Sequence, residues 1–95
     1  VSTEELGNGT HVIKFFADWC GPCKLYAPVF ERAAAQRPEI NFHTVDIDED
    51  PGIRDEFQVQ SVPTTIIVVD GDEVSRMPGA KSSKMLDTFL DGVLS

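Results

Sequence analysis

Three features of the 95-residue sequence predict an α/β fold, one mixed sheet of about four strands with helices on both faces. An apolar run, Val12-Ile13-Lys14-Phe15-Phe16-Ala17, leads straight into Trp19-Cys20-Gly21-Pro22-Cys23-Lys24 and then into a helical pattern. A second strand-like run follows that helix, giving a βαβ unit, whose crossover is right-handed and whose strands are parallel. Farther on, Asp70-Gly71 between two more runs is a hairpin signal, and a last amphipathic stretch follows it. A sheet covered on both faces buries every apolar stripe in this order.

The elements follow from local chemistry. Ser2–Leu6 is polar and acidic, a helical remnant broken by Gly7-Asn8-Gly9. His11–Ala17 is apolar on both sides apart from Lys14, which marks a central strand. From Cys20 to about Arg37, Leu25, Tyr26, Val29, Phe30, Ala33 and Ala34 recur on one helical face. Pro28 lies inside that stretch and is expected to kink the helix, because the stripe continues past it; Pro38 stops it. Ile40–Ile47 is the second strand. Asp50 and Pro51 are an N-cap and first position for a short helix that puts Ile53 and Phe57 on one face. Thr64–Val69, β-branched throughout its length, is a third strand paired through the hairpin with Glu73–Met77. Ser82 or Ser83 caps a final helix with Met85, Leu86, Phe89, Leu90, Val93 and Leu94 as its stripe.

Composition narrows the function classes. A net charge of −8, from sixteen acidic against eight basic residues, argues against nucleic acid or an anionic membrane as partner. No apolar run nears the ~20 residues of a membrane span, and no charged-then-apolar leader opens the sequence. Two cysteines cannot build a multi-bridge secreted framework. A cytoplasmic protein forming a single domain over residues 1–95 is the expectation. The C-x-x-C pair points to dithiol redox chemistry. Half of a zinc site is the competing reading, disfavoured because tetrahedral zinc needs four ligands and the only histidines are His11 and His43. Two inert buried cysteines are the other. The run Asp46, Asp48, Glu49, Asp50 lacks the glycine and terminal glutamate of a calcium loop and reads as a solvated acidic loop. No metal is expected.

The Trp-Cys-Gly-Pro-Cys-Lys stretch together with Val62-Pro63-Thr64 resembles the thioredoxin family, and the likeness runs from about His11 to the end. Pro28, Val45-Asp46-Ile47-Asp48, Asp70-Gly71 and Gly79 support it. The resemblance implies a thioredoxin-like fold of four to five strands, whose N-terminal strand would here be short or missing. It also implies a protein disulfide reductase with no bound cofactor. Its partners would be disulfide-containing proteins and a thioredoxin reductase drawing on NADPH, or a ferredoxin-dependent equivalent, with the chain itself a monomer.

Within that resemblance Cys20 is the expected nucleophile, since a thiolate at a helix N-terminus is favoured by free amides and the helix dipole. Cys23, one turn in, would resolve the mixed disulfide and leave a Cys20–Cys23 disulfide. Pro22 would stiffen the first turn. The family's cis proline carries over to Pro63, with Val62 offering backbone hydrogen bonds to an extended substrate. Gly21 and Gly79 would border the binding surface; a plain strand-end glycine is the alternative for Gly79. Trp19 either flanks the sulfurs or is simply half-buried packing. Lys14 departs from the family, which usually places a buried Asp there, while the family's usual Lys partner aligns with Thr44. A charged Lys14 would favour thiolate, and a neutral one could act as base for Cys23. Otherwise its stem carries it to solvent or pairs it with Asp46 or another acid. Two other functions stay open: a binding subunit of a larger assembly, and an oxidase- or isomerase-like variant tuned by Lys14.

Overall fold

A computed structural model describes residues 1–94. A short 3-10 turn, Glu5–Gly7, precedes β1 (Thr10–Phe16), α1 (Gly21–Ala35), β2 (Asn41–Asp46), α2 (Pro51–Glu56), β3 (Thr64–Val69), β4 (Asp72–Pro78) and α3 (Ser83–Leu94). The strands form one mixed sheet in the order β2-β1-β3-β4. β1 and β2 run parallel, as the crossover requires, and β3 is antiparallel to both β1 and β4. Among the described residues no strand precedes β1, so the sheet has four strands rather than five. α1 runs on through Pro28.

Strand alternation sorts the core into two layers. Ile13 and Phe15 of β1 join Ile66 and Val68 of β3, Val45, Leu6 and Ile53 on the face covered by α2 and the 3-10 turn. Val12 and Ile67 point the other way, against Tyr26, Phe30 and Ala33 of α1 and Leu86 and Leu90 of α3. Both central strands are buried along nearly their whole length, which explains their largely apolar sequences. The elements end where their capping chemistry places them. The Asp50 carboxylate accepts the Ile53 amide at the start of α2, and the Ser82 hydroxyl accepts the Met85 amide at 3.2 Å at the start of α3. Asp70 and Gly71 have φ of 50° and 88°, the paired positive values of a tight hairpin whose twist matches its strands.

Two long-range ties fasten the helices and the N-terminal turn. Arg37, just past the end of α1, donates to both Asp87 and Asp91 of α3 at 3.1 Å. On the other face His11 and His43, neighbouring strand residues, stand 2.8 Å apart through Nδ1 and Nε2. His11 Nε2 lies 2.7 Å from the Asn8 carbonyl oxygen, which can only accept, so that nitrogen carries the proton and donates. His11 Nδ1 then accepts from His43 Nε2, leaving His43 Nδ1 facing Glu5 at 4.0 Å. Burial pushes the His43 pKa below its usual value, with Glu5 pulling the other way.

Leu86 has no exposed surface. Leu86→Ala should cost about 2–5 kcal/mol, read as a lower urea midpoint with unchanged slope. His43, whose folded pKa is depressed, contributes stability that is full above the unfolded value near 6.5 and is lost as pH falls through the lower folded value. His43→Gln should therefore lose less stability than wild type on acidification from neutral pH. Parallel plots of melting temperature against pH for the two proteins would contradict this.

Candidate active site

The strand register assembles the site from four separate stretches. β1 ends at Phe16 and a turn, closed by the Cys20 amide donating to the Ala17 carbonyl at 3.1 Å, delivers the chain to α1. Thr64 pairs with Phe15, so the residues just before β3, Val62 and Pro63, fall beside that turn. The Val62–Pro63 peptide bond is cis, as the resemblance implied. Pro78 pairs with Thr64 in turn, and the Gly79 amide donates to the Pro63 carbonyl at 2.7 Å. Gly79 has φ +91°, a value that side chains rarely adopt, so its backbone path gives a reason for glycine there. On the far side Phe16 pairs with Asp46, bringing the loop after β2 to Trp19, whose indole N–H donates to Asp48 at 2.9 Å.

Cys20 and Cys23 form a disulfide. Cys20 is the N-cap of α1 and its sulfur accepts the Cys23 amide at 3.1 Å, a position normally filled by a serine or aspartate oxygen. That amide is one of the first four of the helix, with no partner inside it, and it points at the sulfur along the positive end of the dipole. Pro22, which has no amide to satisfy, occupies the first turn beside it. Cys20 Sγ lies 3.7 Å from the Val62 carbonyl oxygen. Ala17, Phe16, Ile47 and Val62 pack around the two cysteines. Both are recessed, at 5% and 4% exposure, beneath an exposed rim of Trp19, Gly21 and Pro22. Trp19 is 69% exposed, so the half-buried packing reading fails for it.

A family model described as Thioredoxin matches residues 3–92. The chain belongs to the thioredoxin family. A thioredoxin of Chlamydia trachomatis is 42% identical over 83 residues, covering 87% of this chain and 81% of that one. The solved structure of Fasciola hepatica thioredoxin superposes with a TM-score of 0.82 at 36% identity, over 93% of this chain and 85% of that one. A bifunctional thioredoxin reductase/thioredoxin of Mycobacterium leprae is 43% identical over 84 residues, spanning 87% of this chain and 18% of that one. The chain is a thiol–disulfide oxidoreductase of the disulfide-reductase type and carries a C-x-x-C pair.

Lys14 buries its stem and keeps its amine on a cavity that opens to solvent. It is 5% exposed and lies between two aromatic rings, its Nζ 5.2 Å from the Phe16 centroid and 5.3 Å from that of Phe30. It faces a cavity of about 310 Å³ whose lining includes Asp18, Cys23, Lys24, Glu31 and Thr44. Among the described residues its Nζ has no hydrogen-bond acceptor and no carboxylate within 4.0 Å. Asp46, the partner considered from sequence, instead accepts the Asp48 amide at 2.9 Å. Burial lowers the lysine pKa, and the more distant Glu31 opposes that shift. Two residues near the site were missed by sequence reasoning. Asp48 looked like part of a solvated acidic loop, and its bond to Trp19 joins positions 29 residues apart. Glu31 does have a local signal, because Cys23, Ala27 and Glu31 follow each other at four-residue spacing along one helical stripe. The acidic loop holds no metal-binding cluster among the described residues.

A lysine whose folded pKa is depressed contributes stability that is complete above the unfolded value near 10.4 and is lost as pH falls through the folded value. The wild type should therefore gain on Lys14→Met as pH rises from 7 towards 10, measured as the gap between urea midpoints of the two oxidised proteins. A gap that does not change with pH would show that the amine is ionised alike in the folded and unfolded chains.

Proposed function

We propose that Cys20 is the attacking sulfur and Cys23 the resolving one in the reduction of protein disulfides. The observation that carries this reading is the seat of Cys20 Sγ at the N-terminus of α1, with the Cys23 amide donating to it. In the reduced enzyme the Cys20 thiolate attacks one sulfur of a substrate disulfide. A Cys20–substrate bond forms, the substrate bond breaks, and its electron pair leaves on the other substrate sulfur, which takes a proton from water. The Cys23 thiolate then attacks Cys20 Sγ and expels the second substrate thiolate. The two electrons now held by the substrate have come from the dithiol, which is left as the Cys20–Cys23 disulfide.

The surface around the sulfurs supports binding of an extended segment. Trp19, Gly21 and the Val62-Pro63 turn border the cysteines, and Gly79 stands on the far side of Pro63. The Val62 backbone would add the substrate as a short strand, and Pro22 and Pro63 would hold the walls of this surface in place. A thioredoxin reductase using NADPH would restore the dithiol; the relative that joins reductase and thioredoxin in one name supports that pairing. The chain would act in the cytoplasm as a single-domain monomer, without nucleic acid or membrane as partner, in keeping with its net charge of −8.

Wild-type protein should accelerate the precipitation of insulin by dithiothreitol. Cys20→Ser should lose that acceleration entirely, and Cys23→Ser should accumulate a mixed disulfide with substrate visible by mass. Equal onset of turbidity for wild type and Cys20→Ser would refute the assignment.

A further inference from the structure

Across β2, β1 and β3 the sheet carries one polar row beneath α1, formed by the register partners Thr44, Lys14 and Thr65. Thr65 is committed: its hydroxyl and the Tyr26 hydroxyl lie 2.7 Å apart. Thr44, on the edge strand, is exposed. Lys14 has no hydrogen-bonding partner among the described residues; its stem is buried, and its amine opens on a cavity that has Cys23 on its wall. An amine there without a function would be a pure cost, since a methionine of similar length would fill the space between Phe16 and Phe30 without desolvating a charge.

The charged groups facing it can be compared element by element. On α1, Lys24 and Glu31 line the cavity from its solvent side and are exposed, and Asp18 in the preceding turn is exposed as well. On β2, Asp46 is turned to the Asp48 amide. On α1 again, the Tyr26 phenol is bound to Thr65, and burial raises its pKa, so it stays protonated near neutral pH. Cys23 and Lys14 are therefore the two buried ionisable groups that share the cavity, which is roomy enough for water to bridge them.

We propose that Lys14 is the proton partner of Cys23, the two groups holding one proton between them across the cavity, as thiol and amine or as thiolate and ammonium. The proposal rests on the role of resolving sulfur given to Cys23 above. In the mixed disulfide the Cys23 thiol passes its proton to the Lys14 amine through cavity water. The resulting thiolate forms the bond to Cys20 Sγ, and the electron pair of the broken bond departs on the substrate sulfur. Once the thiolate has been consumed nothing offsets the burial of the ammonium, and Lys14 returns its proton to water at the open side of the cavity. Lys14 thus binds a proton more tightly in the reduced protein than in the oxidised one.

The test is a titration of thiolate absorbance at 240 nm in a Cys20→Ser background, where Cys23 is the sole thiol and serine retains the helix cap. Lys14→Met should move the Cys23 midpoint upward by about one pH unit or more, tenfold less thiolate at a given pH below both midpoints. Lys14→Arg, which keeps a fixed positive charge, should move it downward or leave it in place. An unmoved midpoint in Lys14→Met overturns the proposal. So does a shift of the same sign in both variants, which is what a merely structural disturbance would produce. The readout needs no substrate, so it separates the two readings: insulin reduction with an unshifted midpoint removes only the proton partner, whereas opposite shifts in a chain inactive on insulin keep the proton pair and remove the exchange reaction.

Discussion

The hydrogen bond from the Cys23 amide to the Cys20 sulfur is the contact on which the rest of the site depends. It caps a helix that would otherwise begin with an unpaired donor, and it places backbone positive charge against the sulfur proposed to attack as an anion. The sulfur is surrounded by Ala17, Phe16, Ile47 and Val62, an apolar setting that by itself favours the neutral thiol. The helix start opposes that preference without introducing a charged side chain that would have to be desolvated. Its value depends on α1 staying put. Tyr26, Phe30 and Ala33 fix the helix to the sheet through buried packing, and the Tyr26–Thr65 bond pins its second turn to a central strand.

Pairing geometry then does for the rim what the helix does for the sulfur. β3 is antiparallel to β1, so the beginning of one strand lies beside the end of the other, and the Val62-Pro63 turn arrives next to a cysteine more than forty residues earlier in the chain. β4 returns antiparallel to β3 and delivers Gly79 to the same place. β2, parallel to β1, ends on the same side and supplies Asp48 to Trp19. A shift of one residue in any of these pairings would turn the strand's side chains to the opposite layer of the core as well as misplace its loop. Core packing and site geometry are thus held by one set of constraints.

Features written in neighbouring residues could be read directly from the sequence. Asp50 before Pro51, Asp70 before Gly71, Ser82 before the last stripe and the largely apolar runs of β1 and β3 each encode their structure within a few positions, and each is found as expected. Strand ends differ by a residue, as where Ala17 belongs to the turn that meets Cys20 rather than to β1. What sequence could not supply lies in partners far apart: Tyr26 with Thr65 across 39 residues, Arg37 with Asp87 and Asp91 across 50 and 54. The fate of Lys14 belongs with these. How far a strand lysine escapes along its stem depends on what stands over it, and here Phe16 and Phe30 flank it, its amine opens on a cavity, and Asp46 is occupied elsewhere.

The two sulfurs end up in unlike surroundings, and exchange chemistry gains from the difference. Cys20, as N-cap, receives the amide of the third helical residue; Cys23 is that residue, with its own amide committed to its partner. Two thiolates this close would repel each other, so a reduced site works best when one sulfur is ionised at rest and the other ionises only when called on. Backbone can provide the first condition, because its partial charge is permanent. The second calls for a group whose charge changes. Among the described residues, the group that shares a cavity with Cys23 beneath α1 is the amine that β1 places among aromatic rings with an opening to solvent. A carboxylate in that position would be neutral once it had taken the thiol's proton, whereas an amine becomes positive in the same step. Under the proton pairing proposed above, the amine would draw the second ionisation forward through the charge that the step itself produces.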